Sequence, residues 1–459
     1  MNPDQALTRI DRIELENFRC FQKLVVEFDE KLTVLVAPNG GGKTALLEGV
    51  SIALRLFVDT LLTKQGSSGF AHADIRLQLS AERTMEAMLP TCFNASGVIA
   101  GKACQWSRQI DSDRPRAKTT LPGAAELKNT ALELRRHLQE YSDKQRPDSP
   151  LLPLVAYYGT GRLFGAHKLT QKRQHKGASH TSRTIGYDEC LSSSSRYKFF
   201  VDWFERFSKE LQQELSTGVP SPHQPGQKLK AVKAAVDAVL KPTQWEGLTW
   251  DFVEEMLAAT HPSHGTLPVD WLSDGIRNTL GLVADIAHRC VRLNPQFGER
   301  AALETHGIIL IDEIDMHLHP EWQQLVLPAL SEAFPCMQFI VTTHSPQVLS
   351  TVRKENVRIL EKDSEAGWCA RKPEHSPLSQ GSGDVLAAVM GVNPIPTTSK
   401  EQSNLLETVH DYEQLLCAGM EGQTPALAVK AKLEAAGYEI PEAKLARWRF
   451  IGEKIKLRS

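Results

Sequence analysis

The sequence has 459 residues, of which 41% are hydrophobic and 24% charged, and its formal net charge is −2. This length allows two to four domains or one large core. The composition excludes a wholly disordered chain, and the charge excludes a globally basic nucleic-acid binder. No apolar run approaches the roughly 20 residues that span a bilayer, the N-terminus lacks a signal-peptide pattern, and the eight cysteines form no CxxC pair. We therefore expect a cytoplasmic protein with reduced thiols and no membrane contact.

The first sixty residues contain a glycine-rich loop between a predicted strand and a predicted helix. Two apolar runs, "RIELENF" and "LVVEFDEKLTVLVA", predict strands, and "KTALLEGVSIALRLF" is apolar around most of a helical wheel. The loop, "APNGGGKT", has Ala37 where the usual phosphate-binding pattern has glycine. Because Ala37 ends the strand before the loop turns, we expect its methyl group to be tolerated.

The residue types of this loop fit the binding of a nucleoside triphosphate. Successive backbone N–H groups at a helix N-terminus bind anionic oxygens. The residues concerned are Asn39, Gly40, Gly41, Gly42, Lys43 and Thr44. Lys43 supplies a point charge for the terminal phosphates, and Thr44 supplies a hydroxyl for Mg²⁺. The loop thus predicts ATP and Mg²⁺ as cofactors.

A second candidate segment, "GIILIDEID", is an apolar strand that ends in two carboxylates. Asp312 is suited to holding Mg²⁺, and Glu313 is suited to polarising an attacking water. Further on, His344 follows the buried strand "FIVTTH", where it can contact the terminal phosphate or be an ordinary histidine at a strand end. His317 and His319 lie two residues apart, but no third metal ligand is evident, so we favour an interface contact for them.

The stretch "WLSDGIRNTLGLVADIAHRC" predicts a third candidate, a long helix that begins after Ser273. Ser273 is a good N-cap residue, and Gly275 allows close approach at the helix N-terminus. By itself this pattern is also typical of any capped helix.

Taken in order, these motifs resemble the ABC-type ATPase heads of the SMC and RecF-like group. The resemblance is carried by Walker A "APNGGGKT", a signature "LSDGIR", Walker B "IILIDE", "DMHLHP" at the D-loop position and "TTHS" at the switch histidine. The start "IDRIELENFRCF" is also similar, which implies that Arg19 lies near the phosphates. No glutamine of a Q-loop can be assigned. Arg162 lies at that place, where it can contact a phosphate or an interface or be an ordinary solvated arginine.

The resemblance implies an α/β fold, with an ABC-type P-loop head, an antiparallel β lobe, a helical insertion and a short helical C-terminal tail. It also implies head-to-tail dimers around two ATP molecules, in which Ser273 and Gly275 act on the nucleotide of the other copy. The expected segments are 1–60 with Walker A, 61–150 as a β and helix lobe, 151–265 as a variable helical insertion, 266–355 with the remaining motifs, and 356–459 as the helical tail.

Within this group the chain is similar to the standalone ATPases of two-gene and retron-linked phage-defence systems, such as the Septu ATPase PtuA. The segment between Lys43 and Asp312 is too short for the long arms of chromosome-organising members, and no nuclease motif follows His344. The resemblance implies an ATPase that controls a separate HNH-type nuclease. Its ATP hydrolysis can be rapid or can be slow and regulatory. The alternatives are a RecF-like repair ATPase that acts directly on DNA and a nucleotide sensor with little turnover.

One segment bears on nucleic-acid binding. Residues 161–187 carry six cations and no acid: Arg162, Lys168, Lys172, Arg173, Lys176 and Arg183. Such a loop can contact DNA phosphates or simply be solvated.

Overall fold

The computed structural model describes most of the chain. The described residues are 7–63, 69–113, 119, 122–143, 148–161, 182–192, 197–363, 367–391, 400–440 and 442–456. They divide into two compact units, Met1–Met390 and Gly391–Ser459.

The N-terminal segment forms strands β1 (Arg9–Phe18), β2 (Phe21–Glu27) and β3 (Leu32–Val36). The prediction of one strand over residues 24–37 is wrong. The Asp29 carboxylate accepts hydrogen bonds from the backbone N–H groups of Lys31 at 2.9 Å and Leu32 at 3.1 Å. This side-chain turn breaks the apolar run, so that β2 and β3 enter different sheets.

An antiparallel sheet of order β2-β1-β6-β7 is completed by β6 (Thr91–Ile99) and β7 (Lys102–Ile110). A separate hairpin, β4 (Arg76–Leu79) and β5 (Met85–Met88), precedes them. Helix α1 (Lys43–Leu61) packs against this sheet, since the Trp106 Nε1–H donates to the Ala53 carbonyl at 2.9 Å. Gly49 of α1 permits close approach to β1, because a Cβ there would lie 3.2 Å from the Leu15 methyl groups.

The central sheet has the order β15-β14-β3-β13-β12-β8. Its further strands are β8 (Leu154–Tyr158), β12 (Gly307–Ile311), β13 (Met337–Thr342), β14 (Val357–Asp363) and β15 (Gly367–Arg371). All neighbours pair in parallel except the edge strand β15. Every residue of β8, β12 and β13 is buried, as expected for strands covered on both faces. Parallel strands bring their carboxyl ends to one edge of the sheet, where the chain places the candidate motifs.

Helices and a small sheet surround this core. The helices are α2 (Ala125–Ser142), α3 (Tyr197–Thr217), α4 (Pro225–Leu240), α5 (Asp274–Leu293), α6 (Ala301–Glu304), α7 (Pro320–Gln323), α8 (Val326–Ala333), α9 (Pro346–Leu349) and α10 (Ser382–Ala388). The strands of the small antiparallel sheet are β9 (Glu246–Asp251), β10 (Met256–His261) and β11 (Gly265–Pro268). Helix α5 packs on α3, α4 and β8. No helix of the described ranges is long and apolar enough to cross a bilayer.

The second unit contains α11 (Lys400–Cys417), α12 (Thr424–Ala435) and α13 (Glu442–Lys456). These helices share their own buried cluster of Val409, Tyr412, Leu416, Ala426, Leu433 and Trp448.

Two expected segments differ from the observed elements. The range 151–265 is not only helical, since it supplies β8 to the central sheet and β9 and β10 to the small sheet. The range 356–459 is not only helical either, because β14 and β15 join the sheet beside β3. The pairing of β14 with β3 joins segments far apart in sequence, which a reading of local patterns does not detect.

Candidate nucleotide site

The glycine loop connects β3 to α1 and has two glycines in left-handed conformations. Gly40 has φ +74° and Gly42, the N-cap residue of α1, has φ +81°. A Cβ on Gly42 would lie 2.4 Å from the Phe21 ring, whereas a Cβ on Gly40 would meet nothing within 4 Å. The turn between β1 and β2 therefore packs directly on the loop at Gly42.

Ala37 is accommodated by a second glycine of the loop. Ala37 is buried, and it is not among the residues with positive φ. A Cβ on Gly41 would lie 2.7 Å from the Ala37 methyl carbon and 2.9 Å from the Pro38 carbonyl. The methyl group thus occupies space that Gly41 leaves free, so the departure from the usual pattern does not distort the turn.

Lys43 is held inside the loop. Its ammonium donates to the Ala37 carbonyl at 2.9 Å and to the Pro38 carbonyl at 3.4 Å. Burial lowers the pKa of Lys43, while the nearby Asp312, Glu313 and Asp315 act to raise it. A phosphate is a stronger partner for this buried cation than neutral carbonyls are.

Asp312 follows β12 and accepts two hydroxyl hydrogen bonds. Thr44 donates to its Oδ2 at 2.7 Å, and Thr342, the last residue of β13, donates to its Oδ1 at 2.6 Å. The loop hydroxyl and the strand-end carboxylate are therefore adjacent. Two neighbouring oxygen donors are the kind of ligands that Mg²⁺ prefers, so these residues fit the ion that the sequence predicts.

Glu313 has a left-handed backbone, with φ +47°. Its N–H donates to the Thr342 hydroxyl at 2.7 Å, which fixes this unusual conformation. Thr342 thereby orients both carboxylate residues. Local sequence patterns do not single out Thr342, although it is the first residue of the "TTHS" motif.

The segment at His344 is held by Asp315, another residue that is absent from the predicted site. The Asp315 Oδ1 accepts from the Thr343 hydroxyl at 2.6 Å and from the His344 N–H at 3.3 Å. These contacts join the D-loop to the end of β13. Its place as the second aspartate of "DEID", directly after the two candidate carboxylates, is the sequence feature that could have indicated it.

The start of α5 is exposed at Ser273 and buried at Gly275. Ser273 occupies the N-cap position, but its side chain makes no capping hydrogen bond, contrary to the expectation of a capping serine. A Cβ on Gly275 would lie 2.5 Å from the His317 carbonyl, so α5 packs on the D-loop of its own chain. The Nδ1 of His319 accepts from the Glu321 N–H at 3.4 Å at the start of α7.

Arg19 lies in the turn beside the loop, but its guanidinium forms ion pairs with carboxylates. It pairs with Asp74 at 2.8 Å and with Glu48 of α1. It also lies 5.3 Å from the Phe18 ring centroid. A phosphate contact by Arg19 stays a prediction, and such a contact requires an exchange of partners.

Behind the site, a buried network connects β8 to α5. The Tyr158 hydroxyl donates to Asp285 at 2.8 Å, and the Arg289 guanidinium donates to the same oxygen at 2.8 Å. Arg289 also donates to the Gly186 carbonyl at 2.8 Å. The Asp285 charge raises the pKa of Arg289 against the effect of its burial. The network ties the helix that begins at the signature to the end of β8.

The expected basic loop lies mostly outside the described residues, including Arg162, Lys168, Lys172, Arg173 and Lys176. Arg183 is described, and its guanidinium binds neighbouring parts of its own chain. Its guanidinium donates to the Leu293 and Pro150 carbonyls, each at 2.7 Å. Burial lowers the pKa of Arg183 to about 10. The residue is a structural cation.

Two protein-family models match the chain. A family model described as "AAA domain" matches residues 12–238, and one described as "AAA domain, putative AbiEii toxin, Type IV TA system" matches residues 135–350. The chain is a P-loop ATPase. The α/β ATPase head and the ATPase activity predicted from the sequence are thereby confirmed, and the glycine loop lies in the first matched range.

Individual relatives are distant. The ATPase is similar to the "Retron Vc95 probable ATPase" of Vibrio cholerae serotype O1 biovar El Tor, with 24% identity over 91% of this chain and 85% of the relative. It is 32% identical to the Septu protein PtuA of Bacillus thuringiensis over 34% of this chain and 38% of that one. The SMC head domain of Thermotoga maritima superposes with a TM-score of 0.43 at 13% identity, covering 80% of this chain and 100% of that one.

Proposed function

We propose that this ATPase binds and hydrolyses ATP as the nucleotide-dependent subunit of an antiphage defence complex. Two copies bind two ATP molecules between the Walker A loop of one copy and the signature of the other. The similarity to retron and Septu ATPases supports the defence role.

The observation that carries the proposal is the hydrogen-bonded chain Thr44–Asp312–Thr342–Glu313. It joins the phosphate loop to the strand-end carboxylates at 2.6 to 2.7 Å. Thr44 and Asp312 would hold Mg²⁺, which would neutralise charge on the phosphates. Lys43 exchanges its two carbonyl partners for phosphate oxygens. The N–H groups of Asn39, Gly40, Gly42, Lys43 and Thr44 complete the anion cradle. The Gly41 N–H donates to the Pro38 carbonyl at 2.9 Å, so it joins the cradle only after that bond is released.

Glu313 orients and polarises the attacking water, and His344 contacts the terminal phosphate from the end of β13. The left-handed backbone of Glu313 supports an active-site role, because such strain in non-glycine residues clusters at functional sites. Arg19 approaches the phosphates when its pairing with Glu48 or Asp74 is released.

The second half of the site comes from another copy. Ser273 is exposed and its hydroxyl makes no capping bond, so it is free to act on the nucleotide of a partner. Gly275 permits the close packing of α5 on the D-loop, which positions Ser273. The dimer couples ATP occupancy to the state of a separate nuclease of HNH type, as the resemblance to PtuA implies.

Glu313→Gln tests this function. The variant retains the hydrogen-bonding shape of the side chain but loses its charge, so it should bind ATP, hydrolyse it at least about 100-fold more slowly and accumulate as a dimer. Sedimentation velocity with ATP measures the dimer, and Lys43→Ala should stay monomeric. Glu332→Gln, an exposed carboxylate on α8, is the matched control. Unchanged assembly of Glu313→Gln with ATP would contradict the proposal.

A further inference from the structure

The segment that leads into α5 exposes an indole ring. Trp271 is 73% exposed, more than any other tryptophan, tyrosine or phenylalanine of the described ranges. The other tryptophans of the chain are all buried or partly buried. A large amphipathic ring contributes most to binding when a partner covers it, so an exposed tryptophan is a candidate contact residue.

The backbone around Trp271 is anchored, so the ring is presented from a defined place. Trp271 is the last residue of a 3₁₀ turn that begins at Val269, and both Val269 and the following Leu272 are buried. The Leu272 N–H donates to the Val269 carbonyl at 3.1 Å. The Arg277 guanidinium donates to the Asp270 carbonyl at 3.2 Å, which attaches the turn to the start of α5.

Trp271 lies close to the part of the chain that the proposed dimer places beside the phosphates. It precedes Ser273 by two residues, which span at most about 7 Å of extended chain. The phosphates of ATP lie at one end of the molecule and the base at the other. When Ser273 approaches the terminal phosphate of the other copy, the indole is therefore within reach of the rest of that nucleotide.

The aromatic rings beside the glycine loop of the same chain are used for packing. Phe21 is fully buried and its ring lies against Gly42. Trp368 packs by its edge on Phe21, with 5.1 Å between the ring centroids. The groups of the loop itself, such as the Lys43 ammonium and the Thr44 hydroxyl, suit the phosphates and Mg²⁺ rather than the base. A ring from the other copy would supply the missing base contact.

We propose that Trp271 stacks on the adenine of the ATP that the glycine loop of the other copy binds. The inference rests on the proposed function, because it requires the head-to-tail dimer. Stacking between a base and an aromatic side chain is favourable because every base has a π-face. In each composite site, one chain thus recognises the phosphates and the other chain recognises the base.

The test uses the full chain carrying Glu313→Gln, which should accumulate as a dimer with ATP, and adds Trp271→Ala. The ATP concentration at half-maximal dimerisation, measured by sedimentation velocity, should rise at least about fivefold, as expected for the loss of one base–aromatic stack. Trp271→Phe retains a ring and should restore most of the affinity. Phe252→Ala, which removes another exposed ring, is the matched control and should behave like the parent chain.

Fluorescence distinguishes a base contact from a contact between the two protein surfaces. The probe is the triphosphate of a fluorescent aminopurine, whose emission is quenched when the base stacks on an aromatic ring. Quenching should occur in dimers that contain Trp271 and be lost with Trp271→Ala. Equal dimerisation with and without Trp271, or weaker dimerisation with unchanged emission, would overturn the proposal. Failure of the Glu313→Gln chain itself to dimerise with ATP would instead contradict the proposed function.

A mixture of variants shows which copy supplies the ring. The chain with Lys43→Ala has a disabled loop but retains Trp271, and the chain with Glu313→Gln and Trp271→Ala binds the probe without the indole. Quenching should return when the first chain is added to the second. Unquenched probe in mixed dimers, demonstrated by a tag on one chain, would contradict a contact from the other copy.

Discussion

The glycines of the nucleotide loop differ in what they contribute. Gly40 and Gly42 both require a left-handed backbone, but only Gly42 also faces a neighbouring side chain, the ring of Phe21. Gly41 instead makes room for Ala37. The run of glycines is therefore used for backbone conformation at one position, for packing at another and for both at a third.

Alanine substitutions separate these contributions. Gly40→Ala should lower the free energy of unfolding by about 1–2 kcal/mol, the cost of a left-handed alanine. Gly42→Ala should cost about 3 kcal/mol or more, because the Phe21 ring must also move. Chemical denaturation of the two variants measures the difference, and equal losses would contradict the packing of the β1–β2 turn on the loop.

Thr342 is a positioning residue in this structure. Its hydroxyl donates to Asp312 and accepts from the Glu313 N–H, so one side chain orients the proposed metal ligand and the proposed catalytic carboxylate. Thr342→Val keeps the shape and removes both bonds.

We expect Thr342→Val to lower kcat about 10- to 100-fold, as the loss of a ligand-orienting partner does. Its apparent affinity for Mg²⁺ in the ATPase assay should fall as well, which a purely structural defect would not produce. Thr351→Val, whose hydroxyl donates only to a helical carbonyl, is the control. A wild-type response to Mg²⁺ would exclude the positioning role.

Helix α5 connects several parts of the molecule. It begins at the exposed Ser273, packs on the D-loop at Gly275, joins β8 through Asp285 and contacts α3 through His288. His288 is buried 4.6 Å from the Trp203 ring centroid and has no hydrogen-bond partner in the described part of the chain. Burial, then Arg292, Arg289 and Arg206, lower its pKa well below the usual value.

This histidine makes the α3–α5 contact sensitive to acid. The folded state holds His288 neutral, whereas the unfolded chain protonates it below about pH 6.5. The stabilisation of the folded state by the neutral imidazole is therefore fully present above that pH. As the pH falls below it, the free energy of unfolding decreases by up to about 1.4 kcal/mol per pH unit. His288→Phe should flatten the decline of unfolding free energy between about pH 6.5 and 5 relative to His264→Gln, an exposed control. Parallel pH profiles would contradict a buried neutral imidazole.

Local patterns were sufficient for the motif-bearing elements. The glycine loop, the strand before Asp312 and the helix after Ser273 have their signals within about twenty consecutive residues. The fold of the ATPase head follows from them. The pairing of β14 with β3 and the packing of Phe21 on Gly42 were not predictable in this way, because they join segments with no local signature.

Runs of like charge in the sequence were the least reliable indication of which side chains face solvent. Arg183 belongs to a cationic stretch by sequence, yet its guanidinium donates to backbone carbonyls of its own chain. Arg206 and Lys228 approach the same Phe207 ring but lie on two helices, so no short window of sequence contains both. Burial and tertiary proximity, rather than composition, decide which cations face solvent.

For the whole molecule, the central claim is that each chain contributes one half of two nucleotide sites. The loop that begins at Ala37 and the helix capped by Ser273 lie on the same chain, so in the proposed dimer two-fold symmetry would make the pairing reciprocal. Damage to the loop of one copy and to the signature of the other can therefore fall on the same site. The second site of such a mixed dimer stays intact.

Complementation of two inactive variants is the most direct measurement of this claim. Lys43→Ala disables the loop, and Ser273→Arg blocks the signature without altering the loop. Each protein alone should show no ATP hydrolysis, whereas an equimolar mixture should recover part of the wild-type rate, because each mixed dimer has one intact site. A mixture as inactive as its components, with mixed dimers demonstrated by a tag on one variant, would contradict the account.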